Sequence, residues 1–178
     1  MNIAITGAIG SGKSTVAREV MARLGWREPA GFFTRRQPGE VILETWRGER
    51  RVCARRQDQR APLYEVIPEV FADFAANNLG HGSRPVVLDE LGVLELGLPV
   101  FTRAVADLFT RDGPVLAVIQ ERALDRWRDI IGASKIHRVF RVEAGNRDRL
   151  PEDIATLLRE EAPISASRPG RPRSTHRW

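Results

Sequence analysis

Short, unbroken apolar runs alternate along this chain with longer stretches of helical spacing. Ile3-Ala4-Ile5, Val86-Val87-Leu88 and Val115 to Ile119 carry no polar interruption, the pattern of strands covered on both faces. Ser14 to Leu24, Ile67 to Asn78, Val100 to Phe109, Glu121 to Ile131 and Pro151 to Glu160 read as helices, with Pro68 where a first turn tolerates proline. The region from Ala30 onward differs. Ala30 to Arg36, Val41 to Trp46 and Arg50 to Cys53 read as strands, with Pro38-Gly39 and Arg47-Gly48 as turns, an antiparallel excursion at one sheet edge. Val139 to Val142 is the last expected strand, and no internal repeat is evident. Strands alternating with helices predict an α/β three-layer sandwich, a mainly parallel sheet with helices on both faces. Ligands bind such sheets at the carboxyl ends of strands.

One carboxyl end carries a specific chemistry. Gly7-Ala8-Ile9-Gly10-Ser11-Gly12-Lys13-Ser14 follows the first apolar run and opens the first helix, matching the phosphate-loop pattern G-x-x-x-x-G-K-[ST] in its required strand–loop–helix setting. Its glycines let the backbone turn several N–H groups inward at phosphate oxygens, and the helix N-terminus adds partial positive charge. Lys13 is the candidate for the β- and γ-phosphates, Ser14 for Mg²⁺, and Thr15 completes the loop. With 15 glycines and Lys13 and Lys135 as the only lysines, chance produces the motif in roughly one such chain per thousand. The motif makes the fold expectation a P-loop nucleotide-binding sandwich.

Composition narrows the rest. A chain of 178 residues, 42% hydrophobic and 29% charged, fits one domain, expected over residues 1–163. Cys53 is the one cysteine, which excludes an internal disulfide and a cysteine-rich metal site, and it reads as a small strand residue rather than a nucleophile. No apolar run reaches a membrane span and no signal sequence is evident, so a cytoplasmic location is expected. The formal net charge of +5 is uneven. Residues 164–178 form a Pro- and Arg-rich tail, expected to be flexible, and without its four arginines the chain is near neutrality. Nucleic acid therefore enters only as an anionic partner that the tail could contact.

A second strand end bears acids. Val86-Val87-Leu88 leads into Asp89-Glu90. Beside a phosphate loop, Asp89 is placed to hold Mg²⁺ through its water shell, and Glu90 to orient or deprotonate a water attacking the γ-phosphate. Asp89 capping the following turn is the local alternative. The acid pair favours hydrolysis, although Glu90 could equally serve a kinase by activating an acceptor hydroxyl.

Four stretches taken in order resemble the small thermostable nucleoside-triphosphatase family of P-loop proteins. They are Ile5-Thr6-Gly7 with Gly12-Lys13-Ser14-Thr15, Gly31-Phe32-Phe33-Thr34, Val87-Leu88-Asp89-Glu90-Leu91-Gly92-Val93-Leu94-Glu95-Leu96, and Asn146-Arg147-Asp148-Arg149-Leu150-Pro151. Pro114 to Ile119 matches a further family strand, and the resemblance covers about residues 1–160. It implies Mg²⁺-dependent hydrolysis of nucleoside triphosphates, ATP and GTP among them, to diphosphate and phosphate with broad base preference. The family's match at Glu95 suggests a water-positioning role there, against a plain loop carboxylate. Where the family carries a lysine, this chain has Val93, so no charge acts from that position.

Other residues carry two readings each. Arg122 and Arg126 fall where many phosphotransferases have a lid, four apart on one expected helix, and could equally be a solvated helix surface. Asn146 and Arg147 follow the last strand, where a base could be hydrogen-bonded and stacked, or where Asn146 simply caps a helix. Trp26, Trp46 and Trp127 read as packing residues, and His81, His137 and His176 are too scattered for a metal site. The sequence thus points to Mg²⁺-dependent triphosphate hydrolysis, with Lys13 and Glu90 as catalytic residues. A kinase on the same scaffold and a nucleotide-dependent adaptor with an anionic partner are the competing classes.

Overall fold

The computed structural model describes residues 1–57, 62–80 and 82–160. The expected tail, with His81 and His176, lies outside the described residues. Strand β1 (Asn2–Thr6) runs into helix α1 (Lys13–Leu24), followed by β2 (Ala30–Gln37), β3 (Glu40–Thr45), β4 (Arg50–Arg56) and β5 (Tyr64–Val66). Then come α2 (Pro68–Asn77), β6 (Val86–Leu91), α3 (Pro99–Leu108), β7 (Val115–Ile119), α4 (Leu124–Ile131), β8 (Arg138–Arg141) and α5 (Leu150–Glu160). The sheet has eight strands in the order β5-β4-β3-β2-β6-β7-β1-β8. Strands β2, β6, β7, β1 and β8 are mutually parallel, while β3, β4 and β5 continue antiparallel from β2.

The apolar runs are buried because each alternates between two cores. In β7, Val115, Ala117 and Ile119 face the layer of α2, α3 and α4, whereas Leu116 and Val118 face α1 and α5. Phe32, Phe71, Phe74, Phe101 and Trp127 fill the first layer, with Phe71 and Phe101 ring centroids 5.1 Å apart in an edge-on pair. Val16, Val20, Ile154 and Leu158 fill the second. Helix α1 stops at Gly25, whose φ of 68° lies in the left-handed region.

The expected architecture is thus present, and three local departures have physical reasons. Strand β5 was not foreseen: three residues are too few to show alternation, and its pairing with β4, Ala54 opposite Val66, defines it. The expected helix over 121–131 is two pieces, because Glu121–Ala123 is a 3₁₀ turn closed by Ala123 N–H to the Gln120 carbonyl at 2.9 Å. Strand β8 sits one residue earlier than expected, with Arg138 opposite Ile3 and Arg141 opposite Thr6.

The glycine of Gly-Phe-Phe-Thr acquires a structural cause. Gly31 has φ of +99°, and a Cβ there would lie 2.3 Å from the Val87 carbonyl oxygen. Only glycine lets β2 approach β6 this closely. The tryptophans pack: Trp127 is fully buried and donates to the Gly92 carbonyl at 2.9 Å, Trp46 donates to the Val87 carbonyl at 3.0 Å, and Trp26 packs against the α1–α5 layer. Cys53 is buried and its thiol donates to the Val41 carbonyl, with burial pushing its pKa up to about 12, inert as a nucleophile. Among the described residues no helix is long and apolar enough to cross a membrane.

Candidate active site

Strand order decides what meets at the carboxyl edge of the sheet. Because β7 lies between β1 and β6, three strand ends converge: the phosphate loop after β1, Asp89 and Glu90 at the end of β6, and Gln120 directly after β7. The β2–β3 ribbon adds a wall. Strand β2 pairs with β6 only as far as Phe33 opposite Asp89, and its last residues pair with β3 alone. The ribbon therefore projects past the sheet edge, and the two-residue period puts Thr34 and Arg36 on the face that Phe32 uses for the core. Together these segments enclose a cavity of about 920 Å³.

Its floor is the phosphate loop. Gly7 has φ of +145°, and a Cβ there would meet the Val142 carbonyl oxygen at 2.7 Å, so this turn also requires glycine. Lys13 is 6% exposed; its Nζ donates to the Gly7 and Ala8 carbonyls at 3.1 and 2.9 Å and lies 3.8 Å from Glu90 Oε2. Ser14 Oγ donates to Asp89 Oδ1 at 2.8 Å. Burial pushes the Asp89 carboxyl above its ordinary range, while the Ser14 hydrogen bond and the Arg18 charge pull it back. A hydroxyl and a carboxylate this close are hard oxygen donors suited to Mg²⁺, which takes few protein ligands beside phosphate and water.

The sequence-derived residues fall unequally around this cavity. Gly7, Ala8, Ile9, Gly10, Gly12, Lys13, Ser14, Thr15, Asp89 and Glu90 all line it, and so does Arg122. Ser11 belongs to the loop but not to the lining. Arg126 does not line it either: the break at residue 123 separates it from Arg122, so the expected shared helix face is not formed. Asn146 is engaged locally, accepting from Glu143 N–H at 2.9 Å and donating to the Arg141 carbonyl at 3.0 Å. Arg147 lies beside the loop, its Cδ 3.9 Å from where a Gly12 Cβ would sit.

A profile of the NTPase family matches residues 2–155. The chain belongs to the NTPase family. Among relatives of known name, the nucleoside-triphosphatase THEP1 of Natranaerobius thermophilus is 29% identical over 174 residues, spanning 90% of this chain and 97% of that one. The THEP1 of Methanosarcina acetivorans is 30% identical over 173 residues, 86% and 94% of the two chains. The crystal structure of THEP1 from the hyperthermophile Aquifex aeolicus superposes with a TM-score of 0.72 at 25% identity, covering 89% of this chain and 99% of that one. A human cancer-related nucleoside triphosphatase, solved in solution, gives 0.70 at 25% identity over 90% and 98%.

In this NTPase, Thr34, Arg36, Gln120 and Glu121 also line the cavity, and the sequence had singled out none of them as a site residue, Thr34 entering only as part of the Gly31-Phe32-Phe33-Thr34 stretch. Signals for the first three were present. Strand alternation from Phe32 points Thr34 and Arg36 the same way, and Gln120 ends an apolar strand just as Asp89 does. The Gln120 amide rests on the backbone of Gly92, where an added Cβ would lie 2.7 Å from it, and accepts from Arg122 Nε at 3.4 Å.

Glu95 stands behind the acid pair, 3% exposed in a 3₁₀ turn, accepting from Gly92 N–H at 2.9 Å. Burial, with the Glu90 charge adding to it, pushes its pKa from 4.5 to about 7. Between those two values the folded protein binds more protons than the unfolded chain, so this group's contribution falls as pH rises through that window and is constant above it. Glu95→Gln keeps an oxygen for Gly92 while removing the charge. Thermal unfolding at about pH 5 and about pH 8 is expected to show a smaller loss of stability for the variant than for the wild type. An unchanged loss would exclude Glu95 as its source.

Proposed function

We propose that this protein hydrolyses nucleoside 5′-triphosphates, ATP and GTP among them, to diphosphate and phosphate in a Mg²⁺-dependent reaction with broad base preference. The observation that carries this reading is the convergence of Lys13 with Glu90 at 3.8 Å and of Ser14 with Asp89 at 2.8 Å at the floor of one cavity. Loop N–H groups and Lys13 would cradle the β- and γ-phosphates, with Lys13 exchanging its carbonyl partners for phosphate oxygens. Ser14, and Asp89 through water, would hold Mg²⁺. When bound, Mg²⁺ neutralises charge on the β- and γ-phosphate oxygens.

Glu90 then orients the attacking water and takes its proton, and the diphosphate departs as the leaving group. Its side chain is 25% exposed, open to the cavity where that water would stand. Arg122, which also lines the cavity, would stabilise charge on the transferred phosphoryl group. Broad base preference is consistent with a cavity lined at the phosphates and with Arg147 beside the loop as an unselective stacking surface. A single domain over residues 1–163 carries this activity in our reading.

The test is phosphate release from ATP, GTP, CTP and UTP, with Mg²⁺ and with a chelator. Turnover of all four, lost on chelation, is the expected result. Turnover of one base alone would refute the broad preference, and turnover in the chelator would refute the metal dependence. Faster diphosphate release with an added hydroxyl acceptor would mark a kinase instead.

A further inference from the structure

Among the described residues three cations line the cavity, Lys13, Arg36 and Arg122. They do not stand alike. Lys13 is already engaged with two carbonyls and Glu90, and Arg122 leans on the Gln120 amide. On the projecting ribbon and the neighbouring β4, Arg35 and Arg50 pair with Glu44, Arg51 with Asp73 and Arg55 with Glu40. Arg36 makes no ion pair among the described residues, although it stands on the same ribbon. The third acid of the lining, Glu121, is taken by Arg141 outside the cavity. An anion entering this cavity therefore meets in Arg36 a guanidinium that, among the described residues, has neither a carboxylate nor an amide to leave.

Position gives this charge a role. Phe33 is level with Asp89 across the sheet, so Arg36 lies three residues, roughly 10 Å, past the level of Asp89, in the lining of the cavity that the phosphate loop floors. Its field reaches inward: the Arg36 charge is felt by the buried Glu95 behind Glu90. Lys13 and Glu90, read above as the groups at the terminal phosphate, line the same cavity as Arg36.

We propose that Arg36 binds the terminal phosphate of the nucleotide, so that the ribbon wall distinguishes a triphosphate from a diphosphate. The proposal rests on the phosphate-loop reading above. Thr34, two residues before it on the same face, offers a hydroxyl to the same oxygens. A planar guanidinium suits this contact, since its paired N–H donors match two phosphate oxygens.

The experiment is calorimetric binding of a non-hydrolysable ATP analogue and of ADP, both with Mg²⁺, to wild type, Arg36→Ala, Arg36→Lys and Arg35→Ala. Arg36→Ala is expected to weaken the analogue by about tenfold or more while leaving ADP within about twofold, and Arg36→Lys to recover part of the loss. Arg35→Ala removes the same charge one residue away on the opposite face, and its ratio of analogue to ADP affinity is expected to match wild type. Equal weakening of both nucleotides by Arg36→Ala, no weakening, or the same shift from Arg35→Ala would overturn the proposal. Wild type that binds neither nucleotide would overturn the phosphate-loop reading and this proposal together. Wild type that binds the analogue but never releases phosphate would refute hydrolysis alone, and the Arg36 comparison would still be decided.

Discussion

Glu90→Gln is expected to lower turnover of ATP by about 10² to 10⁴ while nucleotide affinity stays within a few fold. Glutamine keeps the length and one acceptor oxygen of the side chain but cannot take a proton. The loss should therefore fall on kcat rather than on KM. Relief of the 3.8 Å pair with Lys13 acts in the other direction, freeing that ammonium for phosphate, so affinity has reason to rise slightly. Burst-free phosphate release under saturating nucleotide, with binding measured in parallel, checks both halves. Undiminished turnover would remove Glu90 from the chemistry, and lost binding would make it a structural residue of the loop.

Lys13→Ala is expected to weaken ATP by on the order of a hundredfold or more and to abolish measurable turnover. The ammonium is the loop's own charge, and no other lysine is near: Lys135 sits in a 3₁₀ turn before β8, and its carbonyl accepts from the Asn2 side chain. Arginine at position 13 should not rescue, since a forked guanidinium does not fit a space shaped for a point charge. The carbonyls of Gly7 and Ala8 face the cavity and can turn to water, so thermal unfolding of the variant should lie near wild type. A variant that folds and still binds ATP tightly would overturn the assignment of the loop.

Much of this arrangement was legible before the structure, and what was missed follows a pattern. The phosphate loop and the Asp89-Glu90 pair are contiguous in sequence, and each needs only the strand beside it to be recognised. Ser14 and Asp89, at opposite ends of a 2.8 Å hydrogen bond, could be paired on paper because both motifs end strands. For Arg36 and Gln120 the local signals were not enough, since their relevance depends on which strands are neighbours and how far β2 outruns β6. Tertiary order, and not local pattern, carries that information. The lid pairing of Arg122 with Arg126 erred for a related reason: helical spacing was assumed through residue 123, where the chain makes a tighter turn. Asn146 showed the opposite case, a polar residue after a strand whose side chain is occupied in holding its own loop.

The position of β7 between β1 and β6 has a consequence for how the enzyme is born. On a ribosome, the phosphate loop emerges first and the acid pair later, and both are present well before Val115 to Ile119 has been synthesised. Their strands are not partners, so a nascent chain holding both motifs has nothing to set the gap between them. The 2.8 Å meeting of Ser14 with Asp89 waits for the strand that slots in last among the three. Triphosphate consumption is thereby withheld from unfinished chains and begins only once the centre of the sheet is complete.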